Sequence, residues 1–199
     1  MRLFVAAEPE PAALDHLDRA LGPVRRLGGG PRWVDRARWH LTMAFLGELA
    51  DDRAGAVVAA LGAVPAGHRV VQLRLSGAGT FPDRGRPQVL WVGIAGADEP
   101  DGERDLRQLS ALAKATARAA RQAGVRLQRR PFRPHLTLGR WRPGDHTDRA
   151  VAAALTDYVG PPFQLTEVVL MRSHLGPNPR YERLAAWPLP SCRSRGPAG

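Results

Sequence analysis

Residues 39 to 46 have the sequence Trp39-His40-Leu41-Thr42-Met43-Ala44-Phe45-Leu46, and the tripeptide at positions 40–42 returns as His135-Leu136-Thr137. In an extended strand, residues i and i+2 lie on the same face. Each copy therefore predicts a strand that buries its leucine in a core and presents an imidazole and a hydroxyl to a surface or cleft. The composition gives roughly 0.025 such tripeptides by chance, so the repeat indicates two similar halves packed edge to edge.

An arginine stands two residues before each histidine, Arg38 in the first copy and Arg133 in the second. Each arginine lies on the polar face of its strand if the strand extends that far. A guanidinium there can neutralise the charge of a phosphoryl group. Pro134 weakens the prediction for the second copy, because proline fits an edge or the start of a strand.

The rest of the chain alternates strand and helix patterns with irregular links, which predicts an α+β fold with antiparallel sheets. Apolar spacing predicts helices over 9–21, 51–64, 101–124 and 147–158, the second of them capped by Asp51 or Asp52. Alternating or continuous apolar runs predict strands over 2–7, 39–46, 69–75, 88–95, 134–139, 163–171 and 180–187.

The chain has 199 residues with 44% hydrophobic and 24% charged residues, values that exclude a largely disordered protein. No apolar run approaches the ~18–20 residues of a membrane span, and the short apolar stretch of the first residues predicts no signal peptide. The single cysteine, Cys192, cannot form an internal disulfide, which favours a cytoplasmic location. The segment 189–199 is rich in Pro, Gly and Ser and is predicted to be a flexible tail that follows a single domain over 1–188.

The formal net charge is +10, from 29 Lys and Arg against 19 Asp and Glu. This charge indicates a polyanionic partner such as nucleic acid or phosphate. The opposing interpretation is compositional: only Lys114 is a lysine, and an Arg-, Ala- and Gly-rich sequence is typical of a GC-rich genome. Charge alone therefore leaves both interpretations open.

Two imidazoles, each beside a hydroxyl, suit proton transfer at a phosphodiester. A histidine pKa near ~6.5 allows one ring to accept a proton from water while the other donates one to a leaving oxygen. Thr42 and Thr137 can hydrogen-bond the phosphoryl oxygens. Strands that face each other across a groove supply the two sides that in-line attack requires.

The chain resembles the two-histidine phosphoesterases, and within them the bacterial RNA 2′,3′-cyclic phosphodiesterases, once called 2′-5′ RNA ligases. The resemblance extends from about residue 2 to residue 188, and its pair of His-x-Thr-x motifs is highly specific. The matching segments are residues 2–6, 40–48, 89–93, 132–138 and 170–177, together with Tyr181.

This resemblance implies a bilobal fold, with two antiparallel sheets and flanking helices around a central cleft. It implies hydrolysis of an RNA 2′,3′-cyclic phosphate end to a 2′-phosphomonoester, without metal or cofactor. His40, Thr42, His135 and Thr137 match the motif positions one by one, and by analogy His135 is the base and His40 the acid. Arg38 and Arg133 lie outside the strict motif, so their contact with phosphate is a separate prediction.

The implied partners are RNA ends, such as tRNA fragments, or small cyclic nucleotides, handled by a monomer with no membrane attachment. The sequence leaves open whether the reaction also runs backward as 2′-5′ ligation. Two other hypotheses remain: an RNA-binding module without turnover, favoured by the charge, and a catalytic metal held by the histidines. The metal hypothesis is weaker, because no Cys, Asp or Glu stands at a suitable spacing.

Other residues are predicted to have structural roles. Phe45 alternates to the face opposite His40, which favours core packing over stacking on a base. Ser173 and His174 lie at a strand end, where a turn or capping role competes with a ligand contact. The remaining histidines are predicted to lie on the surface: His16, His68 and His146.

Overall fold

The computed structural model describes residues 1–97, 100–128, 130–176 and 179–191. Within them the chain forms nine strands and four α-helices. The strands are β1 Arg2–Ala7, β2 Arg32–Trp33, β3 Leu41–Glu48, β4 Val71–Phe81, β5 Val89–Gly96, β6 His135–Arg140, β7 Val159–Leu165, β8 Glu167–His174 and β9 Arg180–Pro188. The helices are α1 Pro11–Val24, α2 Ala54–Gly62, α3 Gly102–Gln122 and α4 Ala150–Ala153.

All strand pairs are antiparallel, and they form one sheet in the order β7-β4-β5-β6-β3-β1-β8-β9, with β2 paired to β6. The mixed helix and strand content and the antiparallel pairing are thus confirmed. The description as two sheets differs from the structure, because β3 and β6 pair at Leu41 and Leu136 and join the halves. When two sheets meet edge to edge, the unpaired N–H and C=O groups of their edge strands come together. Hydrogen bonds between these groups join the two sheets into one.

The sheet is strongly curled. Only Thr166 separates β7 from β8 along the chain, yet these strands stand six places apart in the sheet. The end of β9 also returns to the beginning of β4, where the Val70 N–H donates to the Pro190 carbonyl at 3.0 Å. The sheet is therefore a half-barrel whose two ends approach each other.

The two faces of the sheet differ. One face carries the main core, to which all four α-helices contribute, for example Leu17 of α1 and Leu109 of α3, both fully buried. The other face of β1 carries a small apolar cluster of Phe4, Ala6, Val169 and Met171. Strand β1 is consequently apolar on both faces, as expected for a central strand covered on both sides.

Two predicted elements need correction. The predicted strand 163–171 is two strands, since its apolar run continues through the corner at Thr166 that transfers the chain between the two halves. The predicted helix 147–158 shrinks to α4. Arg149, at its start, donates to the Thr80 hydroxyl at 2.8 Å and the Gly85 carbonyl at 2.7 Å, and these tertiary bonds fix the segment against the β4 end.

The predicted cap of the second helix is also wrong. Residues Asp51–Arg53 form a 3₁₀ turn, α2 begins after it, and no side chain caps either element. Asp51 instead faces the ammonium group of Met1 at 3.5 Å. In the predicted tail 189–199, Leu189 is buried in the core and its N–H donates to the Thr166 carbonyl at 2.7 Å, whereas residues 192–199, Cys192 included, lie outside the described residues. No helix in the described part of the chain is long and apolar enough to span a membrane.

Candidate active site

A cleft of about 590 Å³ opens where the two halves of the sheet meet. Its lining includes all four motif residues, His40 and Thr42 from the β3 side and His135 and Thr137 from β6. Leu41 and Leu136, between them, are buried and form the pair that joins β3 to β6. The repeat in the sequence thus becomes two equivalent half-sites on either side of the sheet junction.

Both motifs carry a β-bulge at the same offset from their histidine. The β1–β3 register passes from Ala44 to Thr42 and skips Met43, and the β5–β6 register passes from Gly139 to Thr137 and skips Leu138. A bulge inserts one residue into the alternation, so the residues beyond it change faces. The fifth residue after each histidine therefore returns to the cleft.

These two residues are Phe45 and Arg140, and both line the cleft. The expectation that Phe45 packs in the core is wrong, because its side chain is 50% exposed. Arg140 was not predicted as a site residue. The sequence contains one signal for these residues, since each stands five positions after its histidine. Strict alternation nevertheless predicts that both lie on the buried face.

The imidazoles are oriented in the same way in both half-sites. His40 Nδ1 donates to the Arg38 carbonyl at 2.8 Å, and His135 Nδ1 donates to the Arg133 carbonyl at 2.6 Å. A carbonyl oxygen only accepts, so each Nδ1 carries a proton and Nε2 is left for chemistry. In the first half-site, Nε2 of His40 is 3.1 Å from the Thr42 hydroxyl.

Aromatic rings hold each imidazole in place. His40 lies 4.8 Å from the Phe4 ring and 5.1 Å from the Tyr181 ring, which meets it edge-on. His135 lies 5.0 Å from the Phe81 ring, also edge-on. Each imidazole is therefore fixed by a hydrogen bond at one atom and by ring contacts at its sides, which keeps its direction constant.

The pKa values of both histidines are lowered from 6.5. Burial is the largest cause for His40; the bond to the Arg38 carbonyl opposes it, and the nearby charges of His135 and Arg140 lower the pKa further. For His135 burial is again the largest cause, opposed by the Arg133 carbonyl, with Arg140 and then Arg133 lowering the pKa further. Arg140 thus acts on both imidazoles.

The two predicted arginines have different positions. Arg38 lines the cleft. The Arg133 guanidinium is not part of the lining; it pairs with Asp83 at 2.9 Å and lies over the Phe81 ring at 5.7 Å. The sequence does not predict four further arginines of the lining, which are Arg2, Arg32, Arg140 and Arg142. Of these four, only Arg140 has a signal in the motif spacing.

Three other histidines and Ser173 have the following surroundings. Ser173 lines the cleft, whereas the neighbouring His174 forms an ion pair with Glu182 at 2.7 Å. His16 is not a free surface residue, because its Nδ1 lies 3.0 Å from the hydroxyl of the half-buried Tyr158. His146 is exposed. In the described residues no group of three or more His, Cys, Asp or Glu could hold a metal ion.

Comparison with known proteins identifies relatives over most of the chain. The model of the 2′-5′ RNA ligase superfamily matches residues 4–177. A protein of Geobacillus stearothermophilus named RNA 2′,3′-cyclic phosphodiesterase is 31% identical over 157 residues, which cover 79% of this chain and 47% of that protein. The match thus spans about half the length of that relative.

Two further matches cover most of both proteins that are compared. A Bacillus subtilis protein with the same name is 26% identical over 166 residues, 79% of this chain and 80% of its own. The crystal structure of Escherichia coli LigT complexed with 3′-AMP superposes with a TM-score of 0.72 at 26% identity. That superposition covers 94% of this chain and 97% of LigT.

Proposed function

The chain belongs to the 2′-5′ RNA ligase superfamily, and on this basis we propose that it hydrolyses RNA 2′,3′-cyclic phosphate ends to 2′-phosphomonoesters. The observation that carries the proposal is the convergence of His40, Thr42, His135 and Thr137 on one cleft. The naming of its relatives as RNA 2′,3′-cyclic phosphodiesterases supports the same reaction.

The charge of the cleft supports an anionic substrate. Five arginines and no carboxylate stand among its lining residues in the described part of the chain. In our proposal the Thr42 and Thr137 hydroxyls hydrogen-bond the non-bridging phosphate oxygens, and Arg38 compensates their charge. The chain's own side chains then supply the whole reaction without a metal ion.

Phe45 in the His40 half-site and Arg140 in the His135 half-site occupy equivalent positions, and the difference between these side chains supports an assignment of acid and base. An exposed aromatic ring offers a nucleobase a stacking surface, so Phe45 places the nucleoside on the His40 side. The ribose O3′ that leaves phosphorus then faces His40, and water attacks from the His135 side. His135 Nε2 takes a proton from water, the new P–O bond forms, the P–O3′ bond breaks, and His40 gives O3′ its proton.

The lowered pKa values agree with these roles in different ways. A base must be neutral before reaction, and burial favours the neutral form of His135. The acid must be protonated, and the negative charge of a bound phosphate raises the pKa of His40 in the complex. A 5′-hydroxyl in place of water would give a 2′-5′ linkage by the same steps.

Replacing either histidine tests the reaction. We expect His40→Ala and His135→Ala each to lower turnover of an RNA 2′,3′-cyclic phosphate end by about 10²–10⁴-fold, since each removes one proton-transfer group. The exposed His146 provides the matched control His146→Ala, which should keep wild-type activity. Full activity in both cleft variants, or RNA binding with no product from the wild type, would contradict the proposal. Wild-type activity should persist in EDTA.

A change of leaving group separates the two histidines. A substrate with sulfur in place of O3′ loses a thiolate that needs no proton, so it bypasses the acid. We expect the sulfur substrate to restore most of the rate of His40→Ala and little of that of His135→Ala, measured by release of free thiol. The opposite pattern would exchange the two roles.

We also infer a wider setting for this reaction. Residues 1–188 act as a single domain, supported by one sheet that continues from β7 to β9. Its two halves, which meet at Leu41 and Leu136, serve as the lobes on either side of the cleft. The enzyme works in the cytoplasm as a monomer on RNA ends such as tRNA fragments.

A further inference from the structure

The carbonyl that holds each imidazole is supported differently in the two half-sites. The Arg38 carbonyl belongs to a 3₁₀ turn in which the Arg38 N–H donates to the Asp35 carbonyl at 2.9 Å. The Arg133 carbonyl belongs to the irregular segment 131–134, whose backbone makes no hydrogen bond to another backbone group among the described residues. The orientation of His135 therefore depends on something other than local secondary structure.

The side chain of Arg133 connects this segment to the end of β4. Its Nη1 donates to both carboxylate oxygens of Asp83, at 2.9 and 3.3 Å. The guanidinium also lies over the Phe81 ring at 5.7 Å, and that ring meets the His135 imidazole edge-on at a centroid distance of 5.0 Å. Because Nδ1 of His135 donates to the Arg133 carbonyl at 2.6 Å, these four residues form a closed ring of contacts around the imidazole.

The loop that carries Asp83 is itself fixed. Arg149 donates to the Thr80 hydroxyl at 2.8 Å and to the Gly85 carbonyl at 2.7 Å. These two acceptors stand on either side of Asp83 in the sequence, so the carboxylate projects from an anchored loop. Asp83 is thus a fixed point to which the Arg133 guanidinium is tied.

Neither folding nor direct contact with the substrate accounts for this pair. The side chains of Arg133 and Asp83 are 60% and 59% exposed, and ion pairs this exposed contribute little to the free energy of folding. Neither residue belongs to the lining of the cleft. The contacts of Arg133 lead instead to His135, through its carbonyl on one side and the Phe81 ring on the other.

We propose that Asp83 is a positioning residue for His135. By holding the Arg133 guanidinium, it keeps the Arg133 carbonyl and the Phe81 ring against the imidazole, so that Nε2 stays directed into the cleft. This inference rests on the proposed function, because only a reacting imidazole needs a constant direction. Small displacements of a catalytic group lower the rate and leave the stability almost unchanged, so the effect of Asp83 belongs in kcat.

Removal of either partner of the pair tests the proposal, with adenosine 2′,3′-cyclic phosphate as the substrate. We expect Asp83→Asn and Arg133→Gln each to lower kcat about fivefold, the upper range for loss of one exposed ion pair, with little change in KM. The double variant should lose no more than either single variant, because one contact can be lost only once. Asp83→Glu, which keeps the carboxylate, should retain most of the rate.

A second ion pair provides a matched control. Asp101 pairs with Arg104 at 2.9 Å, its side chain is as exposed as that of Asp83, and it stands outside the cleft lining. Asp101→Asn should therefore keep the wild-type kcat. Both aspartate variants should also keep the wild-type Tm, so that a lower rate in Asp83→Asn reflects the position of the imidazole and not unfolding.

The pH profile gives a readout that a purely structural role would not move. The charges that face His135 are those of Arg133, Arg140 and His40. Asp83→Asn leaves the Arg133 charge uncompensated and loosens the bond to its carbonyl, and both changes lower the pKa of His135. We expect the optimum of kcat/KM to move to lower pH in Asp83→Asn and to stay in place in the control variant.

Opposite effects of the two substitutions would overturn the proposal. If Arg133 instead bound a substrate phosphate and Asp83 held it back, Asp83→Asn would raise kcat/KM and Arg133→Gln would lower it. A wild-type rate in Asp83→Asn, a fall in its Tm that matches its loss of rate, or additive losses in the double variant would also overturn the proposal. Failure of the wild type to hydrolyse the substrate would instead overturn the proposed function.

Discussion

At the scale of single residues, the site depends on which nitrogen of each imidazole is free. The Arg38 and Arg133 carbonyls occupy Nδ1 of His40 and His135, so the backbone selects the tautomer before any substrate arrives. Such a bond to the second nitrogen usually sets which nitrogen can react. The residue two positions before each histidine thus contributes through its carbonyl, even where its side chain points elsewhere, as it does for Arg133.

The lowered pKa values predict the pH dependence of the free enzyme. The pH profile of kcat/KM reports the groups of the free enzyme, and both histidine pKa values lie below 6.5. We expect a bell-shaped profile with its optimum below pH 6.5. Because the two histidines interact, the two limbs report apparent pKa values of the pair and not of either residue alone. The measurement uses adenosine 2′,3′-cyclic phosphate as the substrate.

Arg140→Gln should move this optimum. The positive charge of Arg140 lowers the pKa of both histidines, so its removal raises both values and shifts the bell to higher pH. As a control, Arg118→Gln removes a charge that is exposed on α3 outside the cleft lining, and it should leave the optimum in place. A shift to lower pH in Arg140→Gln, or a wild-type optimum above pH 7, would contradict the electrostatic account.

Much of the site could be predicted at this scale. Period-two alternation correctly places His40 and Thr42, and His135 and Thr137, on shared faces, because nothing interrupts the strand between them. It fails at Phe45 because the bulge at Met43 changes the face. A bulge depends on the pairing with a neighbouring strand, and single-strand alternation contains no information about it.

At the scale of the elements, β2 is a strand that no sequence pattern predicts. It contains only Arg32 and Trp33, one charged and one aromatic residue, and it exists because β6 is beside it. Alternation or apolar runs predict the longer strands, except that they merge β7 and β8 into one. The helix expected over 147–158 failed for the related reason that bonds from Arg149 to another element override local helix propensity.

Arg32 of β2 stands opposite Arg140 of β6, and this like-charged pair predicts an unusual effect on stability. Removing one charge from a like-charged cross-strand pair relieves repulsion of about 0.2–1 kcal/mol. We expect Arg32→Gln to raise Tm by up to about 2–4 °C in thermal unfolding at low salt, with the gain shrinking as salt is added. Arg118→Gln should leave Tm nearly unchanged. A lower Tm in Arg32→Gln would show that Arg32 has a stabilising partner.

At the scale of the whole molecule, the curled sheet brings distant segments of the chain to one cleft. The histidines are far apart in sequence, Tyr181 comes from β9, and Arg2 from β1. The sequence predicts that the two motifs meet, because only their combination makes chemical sense. It does not predict the continuous sheet, since the bonds between Leu41 and Leu136 and between Val70 and Pro190 are long-range backbone pairings without a local signature.

The position of β1 between β3 and β8 also affects how the protein is made. A ribosome synthesises β1 before β3 and β8, so one edge of β1 stays unpaired until β8 has emerged. During that interval an apolar strand has an open edge, which is a typical starting point for aggregation and for chaperone binding. His40 likewise lacks the ring of Tyr181 until the final strand arrives, so a nascent chain acquires a complete reaction centre only when its last strand has folded.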